Sequence, residues 1–256
     1  MTVRSRVLTF ALASALFITA REASAQEQRA WVDVNFGVAT SVADEEAYAF
    51  DYTLFNEPAA LAAVYPKPSR GAAFDFGGGF MFTPKIGVGI SFSGAAHEDT
   101  AGLGATIPHP FFFNSSATGG ATTDEKLTRT EGATHLQAMF VPVHTPNLRV
   151  RLFGGPSFFR YKAEMVQDIT YRQVAGVFSR LNTVTITNYD QVDVDGNGVG
   201  FHLGGDVSYF FTRVFGLGAF GRFSRGTVTI DEPLSESEQD VTVGGFQFGG
   251  GLRFRF

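Results

Sequence analysis

The sequence predicts an all-β protein: eight antiparallel strands running up and down and closed into a transmembrane barrel. Three observations predict it. Segments with apolar residues at every second position recur along the chain, and a period of two belongs to a strand with one apolar and one polar face. Phenylalanine and glycine are abundant, 28 and 30 of 256 residues. No apolar run after residue 25 reaches the ~18 residues of a spanning helix. A chain this apolar without a spanning helix has one remaining way to cross a membrane, the closed barrel, which leaves no backbone group unpaired in lipid.

The N-terminus reads as a separate unit. Arg4 and Arg6 precede the 14-residue apolar run "VLTFALASALFITA", and Ala23-Ser24-Ala25 supplies small residues at cleavage positions. This is the pattern of a secretory signal peptide, residues 1–25, too short to span and equipped with a cleavage site. The barrel domain is then residues 26–256. Cleavage removes three arginines and Glu22, which moves the formal charge from −5 to −7. An acidic chain argues against nucleic acid as a partner. There is no cysteine, so neither a lipid anchor on cysteine nor a disulfide is available.

The strands follow in order. In the first, residues 30–39, Val32, Val34, Phe36 and Val38 share a face opposite Asp33 and Asn35. In the second, 71–83, Phe74, Phe76, Phe80 and Phe82 oppose Asp75. In the third, 86–96, Ile86, Val88, Ile90 and Phe92 oppose Ser91 and Ser93. In the fourth, 132–144, Leu136, Ala138 and Phe140 oppose His135 and Gln137. In the fifth, 148–161, Val150 and Leu152 oppose Arg149 and Arg151, with a bulge expected at Gly154-Gly155-Pro156 because proline cannot donate to the ladder. In the sixth, 198–211, Val199, Phe201, Leu203, Val207, Tyr209 and Phe211 oppose His202, Asp206 and Ser208. In the seventh, 214–230, Phe215, Leu217, Ala219 and Phe223 oppose Arg222. In the eighth, which ends the chain, Phe246, Phe248, Leu252, Phe254 and Phe256 oppose Gln247, Arg253 and Arg255. Each segment has the ~9–11 residues a tilted strand needs to cross a bilayer.

Tight connections at 83–85, 144–147 and 212–213 alternate with long polar stretches at 40–70, 97–131 and 162–197 and a shorter one at 231–240. With its signal peptide, strand alternation and terminal strand ending in Phe256, the chain over residues 26–256 resembles bacterial outer-membrane β-barrels of the OmpA/OmpX-like eight-stranded class. The resemblance implies short periplasmic turns, long extracellular loops and residence in the outer membrane among its lipids and lipopolysaccharide. It also implies that Phe248, Leu252, Phe254 and Phe256 form a C-terminal signal read by the barrel assembly machinery. A non-enzymatic, structural or surface-interaction role carried by the external loops is expected. The alternatives are a narrow small-solute channel and, less favoured, a lipid-modifying or proteolytic barrel enzyme.

The inward residues define the candidate site. An eight-stranded barrel is just wide enough for side chains to fill. Asp33, Asp75 and Asp206 with Arg149, Arg151, Arg222, Arg253 and Arg255 therefore predict a lumen ion-pair network, since unpaired charges there would be costly. Asp33 is expected to pair with Arg253 or Arg255 across the seam between the first and last strands. His202, Asp206 and Ser208 are triad ingredients, but His202 and Asp206 lie about 13 Å apart on one strand, so no catalytic group is expected. No His-x-Ser of the lipid A deacylase kind occurs. The run 193–198, "DVDGNG", places Asp193, Asp195, Asn197 and Gly198 like the first half of a calcium loop, but position 12 is Gly204 instead of Glu. A turn feeding the sixth strand is the better reading. The histidines have no metal-ligand spacing, so no metal or cofactor is expected. Residues 107–114, "IPHPFFFN", place three consecutive phenylalanines in a loop, where they need cover: from neighbouring loops or the barrel rim, or else from the lipid interface or an external partner. The acidic run 231–240 reads as a solvated loop tip.

Overall fold

The computed structural model describes residues 29–256. The expected signal peptide lies outside the described residues. Twelve strands follow in order: β1 (Ala30–Ala39), β2 (Glu46–Leu54), β3 (Glu57–Tyr65), β4 (Gly71–Met81), β5 (Ile86–Asp99), β6 (Gly102–Pro108), β7 (Ser116–Thr122), β8 (Leu127–His144), β9 (Leu148–Ala175), β10 (Asn182–Phe210), β11 (Phe215–Glu232) and β12 (Ser237–Arg255). Eight of them, β1, β4, β5, β8, β9, β10, β11 and β12, form a closed antiparallel barrel. The seam is β1 against β12, and Ala30 and Phe256 exchange both backbone hydrogen bonds, at 3.0 and 2.8 Å.

The three short turns share one device. Thr83, Thr145 and Thr212 each accept, on Oγ1, the backbone N–H three residues on, from Ile86 at 3.0 Å, Leu148 at 2.9 Å and Phe215 at 2.9 Å. A threonine hydroxyl thus stands in for a backbone acceptor at each reversal.

The long stretches at the other end are not loops, as the sequence reading had them. Residues 40–70 hold the hairpin β2–β3, and 97–131 hold β6 and β7; these four pair as a second sheet in the order β2-β3-β6-β7. Residues 162–197 are the upper part of one hairpin, because β9 and β10 pair from Leu148 to Ala175. The run 193–198 is likewise strand, not turn. Asp193, Asp195 and Asn197 sit opposite Glu164, Lys162 and Arg160, so of the two aspartates only Asp195 faces a cation. Residues 231–240 turn sharply instead of projecting. Glu232 is buried and accepts from the backbone of Leu234 and Ser235 at 3.1 and 2.7 Å, and Leu234 enters an apolar core.

The expected bulge at Gly154-Gly155-Pro156 is absent. The β9–β10 register runs unshifted through it, and Pro156 points outward with its missing donor on the β8 side. A shift occurs instead between Phe140 and Val143 of β8, around Pro142. There the proline occupies the extra position, where a missing donor costs no ladder bond.

Two more shifts interrupt the β9–β10 hairpin, between Ile186 and Asn188 and between Asp190 and Gln191. They leave the consecutive residues Met165 and Val166 both buried. Met165 packs in a core inside the barrel mouth with Phe159, Tyr161, Val228, Ile230, Val241 and Val243. Val166 packs in a second core with Ile169, Val184, Leu61, Leu103 and Ile107 beneath the external sheet. The bulge lets one hairpin turn its apolar side from the lumen to the external sheet.

Candidate functional site

The lumen is filled in layers. Its centre is an ionic network on six strands. Arg151 donates to Asp206 Oδ1 from Nε at 3.2 Å and also bonds Asp33. Arg253 meets Asp206 Oδ2 at 2.5 Å, donates to Asn35 Oδ1 at 2.5 Å and stands 3.6 Å from Asp33 Oδ1, its register partner across the seam. Asn35 donates to Asp75 at 2.8 Å, and Arg222 donates to the other Asp75 oxygen at 2.9 Å, to Ser91 at 3.2 Å and to Gln247 at 3.2 Å. Ser208 donates to Asp206. The indole of Trp31 closes one side, 4.5 Å from the Arg151 guanidinium. Three carboxylates thus meet three guanidinium groups, all buried. Such charges hold their place because each finds several partners, and the six charges of the network balance one another.

Two of the expected network members lie apart from it. Arg255 stacks on Phe210, 3.8 Å from ring centre to guanidinium, and donates to the carbonyls of Pro146 at 2.7 Å and Arg213 at 2.9 Å. Arg149 also faces Phe210, at 5.6 Å. Both arginines line the short-turn end: turn carbonyls and the Phe210 ring take the place of carboxylates for Arg255, while Arg149 faces the ring with its buried Nε unbonded. Asp33 lies across the seam from Arg253, not from Arg255, and its shorter contact is with Arg151 across the lumen.

Above the network runs a chain that the sequence reading did not assemble. Ser93 meets His135 Nε2 at 2.9 Å, His135 Nδ1 meets Ser157 Oγ at 2.8 Å, and Ser157 Oγ meets His202 Nδ1 at 3.0 Å. His202 therefore does not orient toward Asp206, and the triad ingredients do not form a relay. The four residues come from β5, β8, β9 and β10, and all have inward parity. Parity alone marks them as lumen residues; which ones touch depends on strand stagger, which no single strand reveals.

The mouth is tied shut above the apolar plug. Arg129 donates to Glu46 of β2 at 3.2 Å, to Glu131 at 3.0 Å and to the Thr242 carbonyl of β12 at 3.0 Å, over the Tyr161 ring. Burial works against its charge, but Tyr161, Glu131 and Glu46 outweigh that and hold its pKa above the usual arginine value. Glu131 also accepts from Gly244 at 2.7 Å. Gly244 has φ 100°, and a Cβ there would stand 2.5 Å from the Ser224 carbonyl, so glycine is required.

The cavity beside the ionic network measures ≈ 20 Å³ and the one at the mouth, lined by Glu46, Tyr65, His97 and Arg129, ≈ 40 Å³. A single water needs roughly 10–15 Å³, so each holds a few waters at most. Among the described residues no group of three or more His, Asp or Glu is placed to hold a metal.

The outer surface carries the opposite chemistry. Phe36, Phe74, Phe92, Leu136, Leu152, Phe158, Phe201, Leu217 and Phe248 are all exposed. So are Phe111, Phe113 and Phe178, on two turns beyond the barrel. The residues proposed as the terminal assembly signal all face out: Phe248, Leu252 and Phe256 are exposed and Phe254 is half-buried.

No family model matches the chain, and no curated protein matches it. Among solved structures it is similar to the outer membrane protein OprG from Pseudomonas aeruginosa, with a TM-score of 0.43 at 10% identity over 90% of this chain and 97% of that one. It is similar also to Ail, the attachment invasion locus protein of Yersinia pestis. In complex with the heparin analogue sucrose octasulfate, Ail gives 0.39 at 11% identity; a second Ail structure gives 0.37 at 12%. Both comparisons cover 90% of this chain and 100% of Ail. The eight-stranded barrel itself is read from its own closed ring of hydrogen-bonded strands.

Proposed function

We propose that the protein is an integral outer-membrane barrel with a sealed lumen, non-enzymatic, whose external sheet performs a structural or surface-interaction role. The observation that carries this reading is the belt of exposed apolar side chains around a closed barrel with an ionic interior. On β9 the outward row from Leu148 to Phe158 rises roughly 25 Å at ~3.3 Å per residue and ~40° of tilt, the height of an outer-membrane apolar band. Water would leave that belt unsatisfied; lipid covers it. The reading includes export through the periplasm by the cleaved signal peptide and short turns on the periplasmic side. Its partners are outer-membrane lipids and lipopolysaccharide, with the assembly machinery reading Phe248, Leu252, Phe254 and Phe256. The small cavities and the charge-balanced network favour a plug over a channel.

Fractionation of cells expressing the full chain should recover it in the outer membrane with its N-terminus at Gln26. In planar bilayers it should give no steady conductance, and the lipid A mass profile of the cells should be unchanged by its presence. Recovery as a soluble periplasmic protein would overturn the membrane reading. Steady conductance would overturn the sealed lumen, and a changed lipid A profile the non-enzymatic role.

A further inference from the structure

We propose that the tip formed by residues 108–115 and 176–181 docks onto an anionic phospholipid surface other than the bilayer that holds the barrel. The tip belongs to the connection between β6 and β7 and to the end of the β9–β10 hairpin. Beyond Phe158 the β9 strand runs on to Ala175, roughly 55 Å more of chain at ~3.3 Å per residue. The proposal rests on the membrane reading for one point only: the barrel's own bilayer lies at the far end of that hairpin.

The two turns are built as one rigid piece. His109 is buried, and its Nδ1 accepts the backbone N–H of Phe111 at 3.1 Å and of Phe112 at 3.2 Å. Its Nε2–H then donates to the Leu181 carbonyl of the other turn at 3.1 Å. Gln173 donates to the Pro108 carbonyl at 2.8 Å, and Asn182 to the Ile107 carbonyl at 3.2 Å. Phe112 packs against the His109 ring at 4.8 Å. With the backbone pinned this way, Phe111 and Phe113 cannot turn back onto the sheet, and they remain 56% and 68% exposed. Phe178, on the facing turn, is 98% exposed, with Val177 and Leu181 beside it. Of the three consecutive phenylalanines, Phe112 is half-buried against His109, Phe111 and Phe113 stay exposed, and the neighbouring turn adds apolar surface of its own.

Charge selects the occupant. Residues 100–123 and 169–189 contain no Asp or Glu, and their only charged side chains are Arg172 and Arg180, in a chain of net charge −5. Both arginines are exposed. Protruding rings flanked by arginines fit the headgroup region of an anionic bilayer, where aromatic bodies enter the acyl boundary while guanidinium groups meet lipid phosphate. The rings stand on two convex turns, and a fluid interface accepts them without a matching cleft. A protein partner would have to supply pockets for each.

The test uses the full protein in phosphatidylcholine nanodiscs, mixed with vesicles of phosphatidylcholine alone or with phosphatidylserine added. Discs holding folded protein are purified first; failure to enter discs would overturn the membrane reading and, with it, the direction of the tip. Given loaded discs, co-flotation with phosphatidylserine vesicles is expected, weakening as salt rises. The indole introduced by Phe178→Trp should shift its emission to the blue on mixing. The triple variant Phe111→Ser, Phe113→Ser, Phe178→Ser should lose about tenfold or more in vesicle affinity. Arg172→Gln with Arg180→Gln should lose roughly twentyfold at low salt and most of the salt dependence. These residues are exposed, so a change in binding without loss of disc incorporation isolates the tip. An unshifted emission maximum with phosphatidylserine vesicles, or a triple variant that floats like the parent, would overturn the proposal and leave the tip as a surface for a protein.

Discussion

The barrel and the external part of the same strands are built inside out relative to one another. Along β9 the odd-numbered residues through Met165 point inward at every height. Below Phe158 those inward residues are Arg149, Arg151, Phe153, Gly155 and Ser157, Phe153 packing on the buried Trp31, Met81, Met139 and Val141, and the outward ones include Leu148, Val150 and Leu152. Above it the inward residues are Phe159, Tyr161, Ala163 and Met165, and the outward ones are Arg160, Lys162 and Glu164. Parity stays the same while the chemistry inverts. β10 does the same between Val199 and Asn197, β11 between Phe223 and Arg225, and β12 between Phe246 and Thr242. The hydrophobic effect removes apolar area from water in both parts. Where lipid surrounds the strands the outside is the dry side, and where water surrounds them the inside is. The switch marks the edge of the solvent more directly than any one residue does.

Breaking the ionic interior should cost most. Asp206 meets both Arg151 and Arg253, so Asp206→Asn leaves two buried guanidinium groups short of a carboxylate. A loss of about 3–5 kcal/mol is expected in urea unfolding from lipid vesicles. A loss under ~1 kcal/mol would mean that water inside the lumen already screens the cluster.

The outer face sharpens the comparison next. Leu152→Arg, within the belt, should cost about 2–4 kcal/mol. Thr229→Arg is also outward but lies above the switch on β11, and it should change stability by no more than ~0.5 kcal/mol. Equal costs at the two positions would erase the proposed boundary.

The smallest effect separates the two parts by pH. Burial raises the pKa of Tyr48, Tyr52 and Tyr65 in the external sheet; Glu46 adds to the shift at Tyr48, and the Tyr171 hydroxyl at Tyr52. An unfolded phenol ionises near pH ~10, whereas these stay protonated beyond it while folded. Their contribution is fully present below pH ~10 and is lost as pH rises through the higher folded values. Hydrogen exchange should therefore quicken in β2 and β3 above pH ~10 before it does in the belt. Simultaneous quickening would show that the sheet and the barrel open as one unit.

The sequence made the belt legible because lipid enforces a strict rule: an apolar residue at each outward position and strands that cannot be interrupted. The external sheet obeys no such rule. β6 and β7, "GLGATIP" and "SATGGAT", are mostly small residues of low strand propensity. The β2–β3 turn has positive φ at Phe55 and Asn56, 53° and 60°, without the Asn-Gly or Asp-Gly pair that announces such a hairpin. In β9 and β10 the bulges break the period of two where the hairpin changes partners, so the upper part reads as loop. Within the lumen, parity marks which residues face inward. It did not separate Arg149 and Arg255, which serve the turns, from the arginines that meet carboxylates, because that depends on height in the barrel as well as on face.

The order of charges along the chain gives the ionic network a further meaning. Its N-terminal strands, β1 and β4, bring Asp33 and Asp75, two negative charges. β9 and β10 bring Arg151 and Asp206, which already match each other. β11 and β12 bring Arg222 and Arg253, two positive charges. The two ends of the chain are thus oppositely charged on the face that must leave water, and each is costly to bury alone. Neutrality arrives only when β1 meets β12. A half-made sheet carries a standing electrostatic debt at each open edge, and ring closure settles both at once. The first and last strands thus hold the two halves of the charge balance, Asp33 on one side of the seam and Arg253 on the other.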